Sequence, residues 1–239
     1  MTKTNRIAMW SGPRNLSTAM MYSFGARQDC DVVDEPFYAA YLALTGLIHP
    51  MGDAVLDSQP KDPKDVITAL LEPITTAVQY QKHMTQHMVD GVPRDWIKDV
   101  RNVFLIRHPA RVIASYAKKR EGPSLDDIGF RQQAELYDLV VASGQSPVVI
   151  DSADIRGAPE QKMKQLCAAL GLDWDPNMLQ WPAGGNVSDG VWAQHWYGAV
   201  HASTGFSGAE GPLPDLPPEY QSLMTEALSY YERLAAVKL

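Results

Sequence analysis

Residues 7–18 read Ile7-Ala8-Met9-Trp10-Ser11-Gly12-Pro13-Arg14-Asn15-Leu16-Ser17-Thr18. The first four form an apolar run that predicts a buried strand, and the Ser-Gly-Pro that follows predicts the turn that ends it. Apolar residues at helical spacing then predict a helix from about residue 17 to residue 27. In an open parallel sheet, the loop between a strand and the next helix lies at the edge where ligands bind. This stretch therefore predicts both the fold class and the position of the site.

The rest of the chain continues the alternation of short strands and helices. We therefore predict a three-layer α/β/α protein with a mostly parallel central sheet. No linker rich in Pro, Gly or charge divides residues 1–239, which predicts a single domain. The run at 77–80 fits the last turn of a helix or a strand, and a strand is favoured. Further strands are predicted at 32–33, 102–106 and 147–150, helices at 36–47, 126–143, 161–170 and 218–237, and irregular stretches at 46–61 and 181–218.

Composition excludes several classes of function. The formal net charge is −7, which argues against general binding to nucleic acids or to membrane surfaces, since both are polyanions. Two cysteines, Cys30 and Cys167, are too few for a disulfide framework or a cysteine zinc site, so two buried free thiols are predicted. The polar lead before Ile7 has no apolar run of signal-peptide length, and we expect a cytoplasmic protein. The oligomeric state stays open.

The loop at residues 11–18 has the chemistry of an anion site. Its backbone N–H groups and the positive end of the following helix would face an anion. Arg14 adds a planar cation suited to phosphate or sulfate oxygens, and Ser17 and Thr18 add hydroxyl donors. The alternative is an ordinary turn in which Ser17 or Thr18 caps the helix. The loop lacks the second glycine and the lysine of a Walker A motif, which disfavours a Mg-dependent NTPase.

The run Pro13-Arg14-Asn15-Leu16-Ser17-Thr18 resembles the Pro-Arg-Ser-Gly-Thr-Thr loop of sulfotransferases that use 3′-phosphoadenosine-5′-phosphosulfate (PAPS), closest in motif to the tyrosylprotein branch. The resemblance implies a P-loop NTPase-like fold in which Arg14, Asn15, Ser17 and Thr18 hold the 5′-phosphosulfate. Leu16 stands where that family has glycine. We expect a Cβ at this point to limit how closely the backbone approaches the anion.

A second block, residues 103–116, contains a predicted strand that ends at Arg107 and a helix that begins at Pro109. Ser115 follows Arg107 by eight residues. The block resembles the family's Arg-Asp-Pro-Arg-Asp-x-x-x-Ser motif, which implies that Arg107 and Ser115 hold the 3′-phosphate of PAPS. His108 replaces the motif's Asp and Ala110 replaces its second Arg. The alternative makes Arg107 a surface ion-pair partner. Residues 148–181 also resemble the later half of many sulfotransferases.

Sulfuryl transfer needs a base for the acceptor and positive charge for the leaving oxygen. Glu35 follows Arg14 by 21 residues, and the family resemblance implies that it is the general base; its alternative is a carboxylate that stabilises a helix N-terminus. Asp34, His83 and His87 are the other candidate bases. Lys82-His83-Met84 resembles the Lys-Asp-Pro and Lys-x-His runs of the family, which implies that Lys82 and Arg14 neutralise developing charge.

The aromatic stretch from Trp192 to His201 is predicted either to line a ligand pocket or to pack as core, and Ser203 is predicted to reach the phosphosulfate. The resemblance therefore implies sulfuryl transfer from PAPS to a hydroxyl or amine of a small acceptor, with adenosine 3′,5′-bisphosphate (PAP) as product and without a metal. Two alternatives stay open. One is a phosphotransferase that uses ATP with Mg, and the other is a relative that binds nucleotide without catalysis.

Overall fold

A five-stranded parallel sheet forms the centre of the protein in the computed structural model, which describes residues 4–118 and 122–239. Residues 1–3 of the polar lead therefore lie outside the description. The spatial order is β2-β3-β1-β4-β5 and every neighbouring pair is parallel, which confirms the predicted sheet. The strands are β1 (Asn5–Ser11), β2 (Cys30–Asp34), β3 (Val78–Met84), β4 (Arg101–Ile106) and β5 (Val148–Asp151).

Helices connect the strands and cover the sheet. They begin where the sequence supplies start signals, as at Pro109, where His108 caps the helix by accepting from the N–H of Ala110. The helices are α1 (Ser17–Gly25), α2 (Tyr38–Thr45), α3 (Gly52–Ser58), α4 (Pro63–Leu71), α5 (Pro109–Ala117), α6 (Leu125–Ile128), α7 (Phe130–Ala142), α8 (Ser152–Gly157), α9 (Pro159–Ala169), α10 (Ala193–Trp196), α11 (Gly198–His201) and α12 (Gln221–Ala235).

Three predicted segments differ from the structure. The stretch 46–61 was predicted as a loop but contains α3, and short helices α10 and α11 lie within 181–218. The single helix predicted for 126–143 is two helices, because Gly129 takes a left-handed φ of 70° between them. A Cβ at Gly129 would lie 2.4 Å from Thr85 Oγ1, so the chain turns there without room for a side chain.

The central strand β1 is buried on both faces. Ile7 and Met9 pack in a cluster with α1 and α9, whereas Ala8 and Trp10 pack in a second cluster with α4 and α7. A parallel strand with helices on both sides needs apolar residues at every position, which explains the continuous apolar run that starts at Ile7. The predicted three layers are thereby confirmed.

The parallel register brings the carboxyl ends of the strands to one edge. Ser11 pairs with Met84, and Asp34 pairs with Lys82. The connection from β3 to β4 crosses over β1, so the strand order reverses around the end of β1, where sheets of this kind bind ligands. Within the described residues, every helix is too short or too polar to cross a membrane. Cys167 is buried and Cys30 is half-buried, and both are free thiols.

Candidate active site

A cavity of about 420 Å³ opens at the carboxyl edge of the sheet, beside the end of β1. It is lined by side chains from both predicted anion-binding blocks and by the predicted base, so residues more than 90 positions apart share one cleft. The predicted site residues that line it are Arg14, Asn15, Ser17, Thr18, Glu35, Lys82, Arg107 and Ser115.

The loop after β1 takes an unusual backbone path. Arg14 and Leu16 both have positive φ, 58° and 56°, which is the left-handed region that favours glycine. Leu16 thus takes a conformation that glycine adopts freely. Its Cβ makes this conformation unfavourable, and the contacts of the folded chain hold it there. Gly12 is needed for another reason, because a Cβ there would lie 2.4 Å from the carbonyl oxygen of Ile128.

Helix α1 presents its N-terminus to the cavity. Leu16 is its N-cap, and no side chain of the described residues caps the first turn. The first N–H groups of a helix have no partner within it, so those of α1 remain available to an anion in the cavity. Asn15 fixes this loop to the sheet, since its Nδ2 donates to the carbonyl of Leu105.

The two predicted anion-binding blocks touch directly. Arg14 donates from Nε to Ser115 Oγ at 3.0 Å, and Arg107 donates from Nη1 to the carbonyl of Arg14. Burial and the neighbouring charge of Arg107 lower the pKa of Arg14. The cleft therefore concentrates positive charge at low solvent exposure, an environment that strengthens attraction for an anion.

Lys82 lies between two carboxylates at the ends of β2 and β3. Its Nζ is 2.9 Å from Asp34 Oδ1 and 2.7 Å from Glu35 Oε1. The Tyr197 hydroxyl lies 2.8 Å from each oxygen of Asp34 and 3.1 Å from Glu35 Oε1. Burial opposes the charge on Lys82, but the two carboxylates outweigh burial and raise its pKa.

Asp34 and Glu35 have different surroundings. The Oδ2 of Asp34 also accepts the N–H of Gly190 at 3.0 Å, so both of its oxygens have partners inside the protein. Glu35 is among the described residues that line the cavity, whereas Asp34 is not. Glu35 has a left-handed φ of 39°. Two hydrogen bonds hold its backbone. The Glu35 N–H donates to the carbonyl of Lys82, and the side chain of Gln59 donates to the Glu35 carbonyl at 3.1 Å. No sequence pattern indicates this role for Gln59, because it follows α3 directly in a stretch predicted as a loop.

The two candidate histidines separate in the same way. His83 is buried, its ring stacked on Trp10 at 4.4 Å between centroids, and burial with the charge of His87 lowers its pKa to about 3. His87 lines the cavity between the rings of Tyr38 and Tyr41, with centroids 4.7 and 4.8 Å away. Burial also takes the pKa of His87 well below its ordinary value, so both imidazoles are neutral near pH 7.

Ser203 is the predicted site residue that the structure does not bring to the cavity. Its hydroxyl donates to the carbonyl of Val200 at 2.7 Å and accepts from Trp181 Nε1 at 3.1 Å. These contacts hold the Ser203 side chain just after α11, and Ser203 is not among the described residues that line the cavity. The aromatic stretch divides as well: Trp196 and Tyr197 line the cavity, whereas Trp192 is buried core.

A cluster of arginines adjoins the cavity, and in it Arg107 forms an ion pair, which was the alternative role predicted for it. The carboxylate at its centre, Glu210, was not predicted. Glu210 accepts hydrogen bonds from Arg107 and, at 2.8 Å, from Arg156. Its second carboxylate oxygen lies 3.0 Å from Arg111 Nε. Sequence patterns did not reveal this carboxylate because Glu210 lies in a long irregular stretch with no periodicity. Among residues 4–118 and 122–239, no group of three His, Cys, Asp or Glu side chains is placed to hold a metal ion.

The fold and the site define an α/β protein of the P-loop-like class, with a cleft of arginines, hydroxyls and one helix N-terminus at the end of β1. The chain belongs to the sulfotransferase domain family, whose model matches residues 5–238. The family resemblance seen in the motifs is thereby confirmed. The match does not separate the branches of the family, so the likeness to the tyrosylprotein branch stays a prediction.

The chain is also similar to curated relatives and to solved structures. Branched-chain-amino-acid aminotransferase-like protein 1 of Arabidopsis thaliana is 34% identical over 98% of this chain and 42% of its own length. The chain thus spans about two fifths of the curated relatives it matches. The sulfotransferase domain of the Synechococcus PCC 7002 olefin synthase has a TM-score of 0.55 at 17% identity, covering 98% of this chain and 96% of that one. A sulfotransferase from Alicyclobacillus acidocaldarius has a TM-score of 0.55 at 15% identity, covering 100% and 98%. Both structures share the fold.

Proposed function

We propose that this protein transfers a sulfuryl group from PAPS to a hydroxyl or amine of a small acceptor and releases PAP. The observation that carries the proposal is the contact between the two anion-binding blocks. Arg14 and Ser115 are 101 residues apart in sequence and 3.0 Å apart in the cleft. A donor with phosphate groups on both the 3′ and the 5′ oxygen of its ribose needs two such blocks facing one cavity.

The residues present fit this donor. Helix α1 offers N–H groups that no described side chain caps, which suits the 5′-phosphosulfate. Arg107 lines the cavity, and its buried Nε makes no hydrogen bond to another described group, so it can donate to the 3′-phosphate. PAPS would supply the sulfuryl group and a stable leaving phosphate. Arg14, Ser17 and Thr18 would orient its 5′ end.

In this proposal Glu35 takes the proton of the acceptor. The acceptor oxygen or nitrogen forms its bond to sulfur while the bond between sulfur and the bridging phosphate oxygen breaks, and PAP leaves with that electron pair. Arg14 and Lys82 would stabilise the charge that develops on the bridging oxygen. Lys82 also orients Glu35 through their 2.7 Å ion pair.

Glu35 is a better candidate for the base than its neighbours. Asp34 has both oxygens engaged by buried partners and does not belong to the described lining of the cavity. His83 is packed among aromatic rings away from the cavity. His87 does line the cavity, but a strongly lowered pKa makes it a weak acceptor of protons.

Part of the cavity lining is aromatic or apolar. Tyr38, His87 and Trp196 contribute to it together with Met84 and Ile48. Aromatic faces bind planar apolar groups. This part of the lining supports a small acceptor that carries its hydroxyl or amine on an apolar body.

The experiment that tests the proposal compares ligands before acceptors. PAP should raise the Tm of the protein more than ATP with Mg at the same concentration, because stabilisation follows RT ln(1 + [L]/Kd). PAPS should then yield a sulfated product with a panel of small phenols and amines, detected by mass spectrometry. A larger shift with ATP and Mg would favour the phosphotransferase instead, and PAP binding without any product would favour the non-catalytic relative.

A further inference from the structure

Glu210 occupies the centre of the arginine cluster described above. Its side chain is 5% exposed, and its two oxygens are shared by Arg107, Arg111 and Arg156. Three guanidinium groups around one carboxylate leave about two positive charges without a matching anion inside the cluster. Arginine clusters of this kind bind phosphate groups, whose three oxygens accept more donors than a carboxylate can.

Arg107 joins this cluster to the cavity. One of its terminal nitrogens donates to the carbonyl of Arg14 in the anion loop, and the other donates to Glu210. Its Nε is buried and makes no hydrogen bond to another described residue. A phosphate held in the cavity by Arg107 would therefore lie against the position that Glu210 now takes.

The segment that carries Glu210, residues 206–216, is held by side chains. No backbone hydrogen bond joins it to another described residue. Its carbonyls accept instead from the same arginines, Gly208 from Arg156 at 2.9 Å and Gly211 from Arg111. A Cβ built on either glycine would meet nothing within 4 Å, so the backbone of the segment is not tightly packed at these two positions.

We propose that Arg107, Arg111 and Arg156 form a binding site for the 3′-phosphate of the donor, and that Glu210 is its internal competitor. The carboxylate holds the three guanidinium groups in place and is displaced when a phosphate takes its position. Displacement needs only side-chain contacts to break, because the 206–216 segment has no backbone ladder to lose. This inference rests on the proposed function and adds two arginines and a competing carboxylate to its donor site.

The test is a calorimetric titration with two nucleotides, PAP and adenosine 5′-monophosphate, which lacks the 3′-phosphate. Glu210→Gln keeps the shape of the side chain and removes its charge, so PAP should bind about tenfold tighter, the effect of one charge-assisted contact. Arg156→Gln should weaken PAP by about tenfold for the same reason. Neither change should alter the affinity for adenosine 5′-monophosphate by more than about twofold. Glu219→Gln, at an exposed carboxylate just before α12, is the matched control and should change the affinity for neither nucleotide.

The outcomes separate this inference from the proposed function. If PAP binds the wild type but Glu210→Gln weakens PAP or leaves it unchanged, Glu210 is not a competitor and the inference is overturned while the donor assignment stands. Equal effects of Arg156→Gln on both nucleotides would also overturn the inference, because the cluster would then not distinguish a nucleotide with a 3′-phosphate from one without it. If PAP binds as expected but no acceptor is sulfated, the inference holds and the proposed transfer fails. If PAP binds no variant, both fail.

Discussion

Glu35 Oε1 lies 2.7 Å from Lys82 Nζ, at the point where the ion pair meets the cavity wall. The same ammonium group contacts Asp34 on its buried side. One lysine therefore neutralises a carboxylate that faces the ligand and a carboxylate that faces the core. Because the two acids differ in surroundings and share a cation, their substitution should have different consequences for turnover and for stability.

Glu35→Gln should lower kcat for sulfuryl transfer by about 10²- to 10⁴-fold, the usual contribution of a general base. The amide keeps the size of the side chain and its contact with Lys82 but cannot take a proton. The affinity for PAP should stay within about twofold of the wild type, because the base contacts the acceptor. Steady-state kinetics and PAP titration measure the two effects, and full activity in this variant would remove Glu35 as the base.

Asp34→Asn is the matched comparison. This change removes one of the two carboxylates around the buried Lys82 and leaves Glu35 as the other, while Tyr197 loses its charged partner at Asp34, so the free energy of unfolding should fall by roughly 1–3 kcal/mol. Urea unfolding at pH 7 measures the loss. If Asp34→Asn unfolds like the wild type and Glu35→Gln is the unstable variant, the division of roles between the two acids is wrong.

The hydrogen bond between Arg14 and Ser115 should appear as an energetic coupling between the two blocks. In a double-mutant cycle of Arg14→Gln and Ser115→Ala, the coupling in unfolding free energy should be about 1 kcal/mol, the net value of one partly buried hydrogen bond. Pairing Arg14→Gln with Glu226→Gln, an exposed residue of α12, should give additive effects within about 0.5 kcal/mol. Additivity in the first cycle would show that the contact carries no free energy.

The sequence predicted those parts of the site that follow a strand. Arg14, Glu35, Lys82 and Arg107 each lie at or just after the end of a parallel strand, and the register alone brings such positions to one edge. Local pattern therefore sufficed to predict that they meet.

Residues supplied by irregular segments could not be predicted in this way. Gln59 and Glu210 reach the site or its border from stretches whose path depends on side-chain packing. For Tyr197, the sequence left pocket lining and core packing open, and the structure shows that it lines the cavity. Ser203 was placed at the site by a loose motif, and the structure commits its hydroxyl to Trp181 and Val200. Short local motifs describe the strand ends, whereas the long stretch after residue 181 is positioned by contacts that sequence periodicity does not encode.

At position 16, a glycine variant should be more stable than an alanine variant, which is the reverse of the order expected inside a helix. Its φ of 56° is strained for any residue with a Cβ, by roughly 1 kcal/mol. Leu16→Gly and Leu16→Ala both lose the leucine side chain, so their difference isolates the backbone, and the glycine variant should be more stable by roughly 1 kcal/mol. At exposed Glu226, within α12, the order should reverse, with alanine more stable by about 0.5–1 kcal/mol. A more stable alanine variant at residue 16 would contradict the left-handed conformation.

The buried imidazole of His83 should make the fold sensitive to acid. Burial first, and then the charge of His87, lower its pKa from 6.5 to about 3 in the folded protein. Between these values the unfolded chain binds a proton that the folded chain does not, so stability must rise with pH and fall as acid is added. The contribution of one such group reaches about 1.4 kcal/mol per pH unit.

His83→Gln removes the titrating group, so the difference in unfolding free energy between pH 7 and pH 5 should be smaller in this variant than in the wild type, whatever its absolute stability. Equal slopes in the two proteins, measured by urea unfolding, would show that His83 takes up its proton in the folded state as readily as in the unfolded chain.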